Sequence, residues 1–127
     1  MNLLLDTHAL LSITNQELIP RSWNQMLKNK TRVLVSAISA WEIFMLEKSR
    51  YISLTLQANL WFEEAIEQIH AEVIELDPII SWEAVHLSWE HKDPADRWIV
   101  ATARLFNATL LTRDKKIISS GLVQTFN

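Results

Sequence analysis

Two patterns of hydrophobic residues alternate along the chain. Short, nearly unbroken apolar runs occur at residues 3–5 (LLL), 32–36 (RVLVS), 72–76 (EVIEL) and 109–112 (TLLT). Runs this short and this apolar read as strands buried on both faces, as in a parallel sheet. Between them, residues 40–48, 56–69, 81–90 and 94–106 read as helices from their apolar spacing, and 124–126 reads as a last short strand. Strand and helix alternate, which predicts an α/β fold around a mostly parallel sheet with right-handed crossovers. No repeat, low-complexity tract or linker interrupts the 127 residues, so one domain over 1–127 is expected.

This topology gives certain acids a meaning. In open α/β sheets, ligands bind beyond the carboxyl ends of the strands. Asp6 closes the first run, and Asp114 lies just past the fourth. If those strands are neighbours, the two carboxylates meet at one edge. Glu42, in SAWEI, and Asp96, in HKDPADRWIVATA, stand near the starts of helical segments. The plain structural account makes Asp93 an N-cap, Pro94 the first helical residue and Asp96 the acid of a capping box. Ser39 and Glu42 repeat that spacing. Neither Asp6 nor Asp114 is expected to cap a long helix. The chemical account starts from the same helix ends, which keep acids ionised. Ionised carboxylates suit a hard divalent cation such as Mg²⁺. From these residues alone, both accounts stay open.

Composition removes some chemistries. There is no cysteine, hence no thiolate nucleophile, disulfide or zinc–thiolate site. The single glycine, Gly121, excludes Gly-rich phosphate loops. A net charge of −3 rules out a bulk polycation, yet it is compatible with a local basic rim around an acidic centre. The six tryptophans are expected in the core, with Trp23, Trp61 or Trp82 as candidates for an interface. The N-terminus lacks a basic region and carries Asp6, so no signal peptide is expected. No apolar run is long enough to span a bilayer. A cytoplasmic chain without membrane contact is therefore the expectation.

Four segments, LLLDTHALL, SAISAWEI, HKDPADRWIVATA and LLTRD, together resemble a PIN domain. More narrowly, they are similar to the VapC-type toxin ribonucleases of bacterial toxin–antitoxin pairs. The resemblance runs over nearly the whole chain and in order. It implies a three-layer α/β/α fold, with Asp6, Glu42, Asp96 and Asp114 as the acidic residues of the active site. Asp93 would be a ligand, an outer group or only a cap. One or two Mg²⁺ or Mn²⁺ ions would serve the hydrolysis of RNA phosphodiester bonds, leaving a 5′-phosphate and a 3′-hydroxyl. The usual partners would be a small antitoxin, with a basic side chain laid across the acids, and a second copy in a homodimer. Two departures leave the acids intact. Ser12-Ile13 stands where relatives often carry an aromatic pair, and Asn107 stands where they usually carry glycine. Asn is accepted in the left-handed conformation needed there.

Supporting roles follow from the same resemblance. The hydroxyls of Thr7 and Thr112 would orient carboxylates or waters. Arg97 would pair with a carboxylate or touch phosphate, and otherwise be an exposed helix charge. Arg113, Lys115 and Lys116 would form a basic rim for an RNA backbone. His8 and His91 fall near the acids, without an assigned role. Two other functional classes compete. A phosphoryl-accepting receiver domain also gathers acids at strand ends, with Asp77 as the acceptor, but Asp6 has no acidic neighbour in sequence. A non-catalytic interaction module, its acids merely capping helices, requires Asp6 and Asp114 to be unrelated in space.

Overall fold

The computed structural model describes residues 1–29 and 32–126. Its spine is a sheet of β1 (Asn2–Leu5), β2 (Arg32–Ser36), β3 (Glu72–Ile74), β4 (Ala108–Leu111) and β5 (Thr125–Phe126). The strands lie in the order β3-β2-β1-β4-β5, and each pairing is parallel. β1 is therefore the centre. The chain steps outward from it to β2 and β3, then returns to its other side for β4 and β5. The gap between β1 and β4 is the point where the strand order reverses, the place where open α/β sheets hold ligands.

Alternation along each strand creates the two faces. Leu3, Leu5, Val33 and Val35 point into one core with Trp23, Ile43 and Phe62, under α1 (Thr7–Thr14), α2 (Arg21–Lys28), α3 (Ala37–Lys48) and α4 (Ala58–Gln68). Leu4, Leu34 and Leu110 point into the other core with Ile80, Ile99 and Val100. That second face is covered by α5 (Pro78–His86), α6 (Pro94–Leu105) and α7 (Lys115–Ser120). The result is three layers, as expected. Each fully buried Leu side chain contributes about 2 kcal/mol to holding them together. None of the helices among the described residues is long and apolar enough to cross a membrane.

The differences from the sequence reading are local. Helices α1, α2 and α7 occupy stretches for which no helix is predicted. α3 begins at Ala37, with Ser36 as its N-cap accepting from Ile38 N at 3.2 Å. Ser39 therefore lies inside the helix, and Glu42 falls in its second turn, beyond capping range. α5 begins at Pro78 behind the cap Asp77 and ends at His86, so residues 87–90 are loop. Asn107 does take up a positive φ, 49°, just after α6.

Candidate active site

The end of β1 and the end of β4 are joined through one hydroxyl. Leu5 pairs with Leu111, and Asp6 N donates to Leu111 O at 3.2 Å. The next residue of β4's exit, Thr112, is fully buried. Its hydroxyl donates to Asp6 Oδ2 and accepts from Asp114 N at 3.0 Å. Asp6 and Asp114 thus share a partner although 108 positions apart in the chain (114 − 6). Both also cap helices that the sequence reading lacks. Asp6 Oδ1 accepts from Ala9 N at 2.7 Å at the start of α1, and Asp114 Oδ1 accepts from Lys116 N at 2.8 Å at the start of α7. Capping and clustering coexist here. The interaction-module account, which requires the two acids to be apart, loses its premise.

Glu42 arrives from β2 through α3. The Thr7 hydroxyl, one residue past Asp6, donates to Glu42 Oε1 and lies 3.0 Å from Ser39 Oγ. Thr7 and Thr112 thus each donate a hydroxyl to one of these acids. Asp93 caps α6, its Oδ1 accepting from Ala95 N at 2.9 Å. Asp96 does not complete the expected capping box among the described bonds. Its Oδ2 is instead 2.6 Å from His91 Nε2.

Electrostatics make Asp96 the hub. Burial raises its pKa above the usual carboxylate value, against the opposing hydrogen bond from His91, and repulsion from Asp93 and Asp114 adds to the rise. Burial likewise raises Glu42, which also feels the charges of Asp96 and Asp93. Burial raises Asp6 despite the bonds from Thr112 and Ala9, and Asp96 raises it further. Exposed His8, in the first turn of α1, counters the charge on Asp6 and Glu42. A half-buried group of like charges is held at a cost, and a divalent cation relieves it. Among the described residues, the histidine and acid side chains whose donor atoms lie within 4.8 Å of one another are His91, Asp93 and Asp96. The other three acids act on this trio, or on Asp96 within it, over a longer gap. The carboxylates suit Mg²⁺ or Mn²⁺, while the imidazole Nε2 is engaged by Asp96.

The PIN domain family model matches residues 3–120, a span that contains every acid named above. The chain belongs to the PIN domain family. A relative, ribonuclease VapC22 of Mycobacterium tuberculosis, is 30% identical over 97 residues, covering 76% of this chain and 73% of that protein. The shared fold also extends to solved structures. VapBC2 from Rickettsia felis, bound to a promoter DNA fragment, matches with a TM-score of 0.74 at 18% identity, over 100% of this chain and 98% of that one. DNA-bound VapBC from Salmonella typhimurium matches with a TM-score of 0.70 at 18% identity, over 99% and 97%. By sequence and by fold, this PIN domain is of the VapC type.

Several predicted roles change in the PIN domain as folded. Arg97 neither pairs with a carboxylate nor lies free. Its guanidinium donates to five backbone carbonyls, those of Ala84, Val85, Leu87, Trp89 and His91, at 2.8 to 3.2 Å. It ties the loop between α5 and α6 to the first turn of α6. Arg113 is exposed but anchored, donating to Ser12 Oγ at 2.7 Å and lying 5.3 Å from the centre of the Trp23 ring. Ser12, one of the departures from the family pattern, thus serves as its acceptor. Lys115 and Lys116 stay exposed beside Asp114. Asp77 caps α5 behind β3, which β2 separates from β1, so it is out of place for a receiver's acceptor. His91 is the residue that sequence reasoning left without a role. Its position two residues before an Asp-Pro helix start was the available signal.

Proposed function

We propose that this PIN domain is a metal-dependent endoribonuclease, the toxin of a toxin–antitoxin pair. The observation that carries the reading is the convergence of Asp6, Glu42, Asp93 and Asp114 on the field of Asp96, at the switch point of the sheet. The named activity of the 30%-identical relative supports it. Asp6, Glu42, Asp96 and Asp114 would hold one or two Mg²⁺ or Mn²⁺ ions, with Asp93, close beside Asp96, as a further ligand. Bound there, the metal supplies an activated water and charge stabilisation at the scissile phosphate. The chain's own part is to fix its carboxylates through Thr7, Thr112 and His91. Lys115 and Lys116 would attract the RNA backbone. The direct test is cleavage of RNA by the purified protein with Mg²⁺ or Mn²⁺, with EDTA, and with metal restored. Cutting that survives EDTA, or RNA left intact under both metals, overturns the reading.

The partners follow from the same assignment. Among the solved neighbours, one from Klebsiella pneumoniae is named as a toxin–antitoxin complex and one from Mycobacterium tuberculosis as a member of the VapBC family of toxin–antitoxin systems. A small antitoxin would silence the site by placing a basic side chain among the acids. A second copy would cover an apolar face. Trp23 and Trp61 are buried in the core, but Trp82 is 68% exposed and Trp41 54% exposed. Trp41 and Met45 line one groove that ends at Glu42 and Asp93, and Leu76 connects it to a second lined by Trp82 and Val85. Exposed aromatics and methionine in a continuous apolar surface are typical of protein interfaces. Light scattering is expected to give a dimer for the wild type and a monomer for Trp82→Glu. A wild type that stays monomeric at tens of micromolar removes the dimer from the scheme.

A further inference from the structure

His91 is held on three sides. Its ring packs at a tilt against Trp89, with the ring centres 4.8 Å apart. Its backbone carbonyl accepts from Arg97 Nη1 at 2.9 Å. Its Nε2 meets Asp96 Oδ2 at 2.6 Å. Arg97 is the next residue after Asp96, so a closed circuit runs from Asp96 through Arg97, the His91 carbonyl and the His91 ring back to Asp96. Further bonds from Arg97 to the carbonyls of Leu87 and Trp89 fasten the loop that carries the histidine.

Asp96 needs such support. It stands in the first turn of α6 and is repelled by Asp93 and Asp114, while Glu42 and Asp6 feel its charge in turn. Left to those charges, its side chain would turn outward to water. We propose that His91 is a positioning residue that binds one oxygen of Asp96, so that the other is presented, already oriented, to a divalent cation. The inference rests on the reading of Asp96 as a metal ligand. His91 can donate from Nε2 either as the neutral tautomer protonated there or as imidazolium, so the role does not depend on its charge. Partners that orient a metal's ligands in this way typically change metal affinity by about 10- to 100-fold when removed.

The experiment is a Mn²⁺ titration of the full chain, following free Mn²⁺ by electron paramagnetic resonance, with thermal melts of each metal-free variant alongside. His91→Phe keeps a ring against Trp89 and removes the donor. His91→Gln keeps a donor that can reach the same oxygen. Mn²⁺ binding is expected to weaken about 10- to 100-fold in His91→Phe and to recover most of that loss in His91→Gln. Wild-type affinity in His91→Phe, or equal weakness in both variants, overturns the proposal. Asp96→Asn separates the two levels of inference. If it binds Mn²⁺ as tightly as wild type, Asp96 is no ligand and the underlying reading fails. If Asp96→Asn loses the metal while His91→Phe retains it, only the role of His91 fails.

Discussion

Asp96→Asn lowers RNA cleavage by about a thousandfold or more, in the expected result, because losing a metal's contribution of several kcal/mol costs about three decades of rate. Stability is expected to move the other way. The carboxyl of Asp96 is raised above its ordinary value of 3.8, chiefly by burial. A carboxyl raised on folding binds its proton more tightly in the native state than in the unfolded chain. Its contribution is therefore most favourable at low pH and is lost as the pH rises from the unfolded value through the folded one. At neutral pH the metal-free protein carries the full penalty of the ionised group. Asn has no charge to desolvate and keeps a side chain able to meet His91. The variant should melt no lower than wild type at pH 7 without metal, and its melting temperature should fall less as pH rises. A variant that is inactive because it is unfolded would show the reverse, and the catalytic assignment would lose its support.

Arg97→Met is expected to act on stability first. The substitution keeps an apolar stem but removes every donor that the two carbonyls at the end of α5 and the three in the following loop now use. Hydrogen bonds from a charged group are worth about 1.5–3 kcal/mol each, and water would replace those on the exposed side, so a net loss of about 3 kcal/mol is reasonable. For a domain of this size that is a fall in melting temperature of roughly 10 °C. Arg97→Lys should rescue little, because a single ammonium cannot span a fork of carbonyls. Amide exchange should quicken in residues 87–93 before the rest of the molecule. Unchanged melting together with lost cleavage would return Arg97 to one of the alternatives read from sequence, a contact with substrate phosphate.

The contrast between Asp96 and Arg97 shows what the chain discloses before folding. Acids at strand ends announce themselves because topology alone brings those ends together. Arg97 is adjacent to Asp96 in sequence, yet a helix sends neighbours in different directions, and the packing of the end of α5 and the path of the 87–93 loop decide which carbonyls it meets. The strands were legible because unbroken apolar runs have few alternatives. α1 was not, because Thr7 to Thr14 is apolar on most sides and follows β1 without a loop, so Asp6 reads as a strand end when it is also a cap. α7 has six residues, too few for a period to show. At α3 the sequence reading placed the cap at Ser39, and the structure places it at Ser36. Ser36 prevailed because it is the last residue of β2, which is fixed by its pairing with β1 and β3. At α5 the signal was present in Asp77-Pro78, a cap followed by a proline suited to a first turn.

The Thr112 hydroxyl that joins Asp6 to Asp114 has a consequence for how the protein is made. One of its partners closes β1, and the hydroxyl itself comes 106 positions later in the chain. A chain halted before β4 has no strand to lay beside β1 on that side and lacks both Thr112 and Asp114. Whatever chemistry these acids perform therefore waits on the docking of β4 against β1, the pairing that closes the sheet across its switch point.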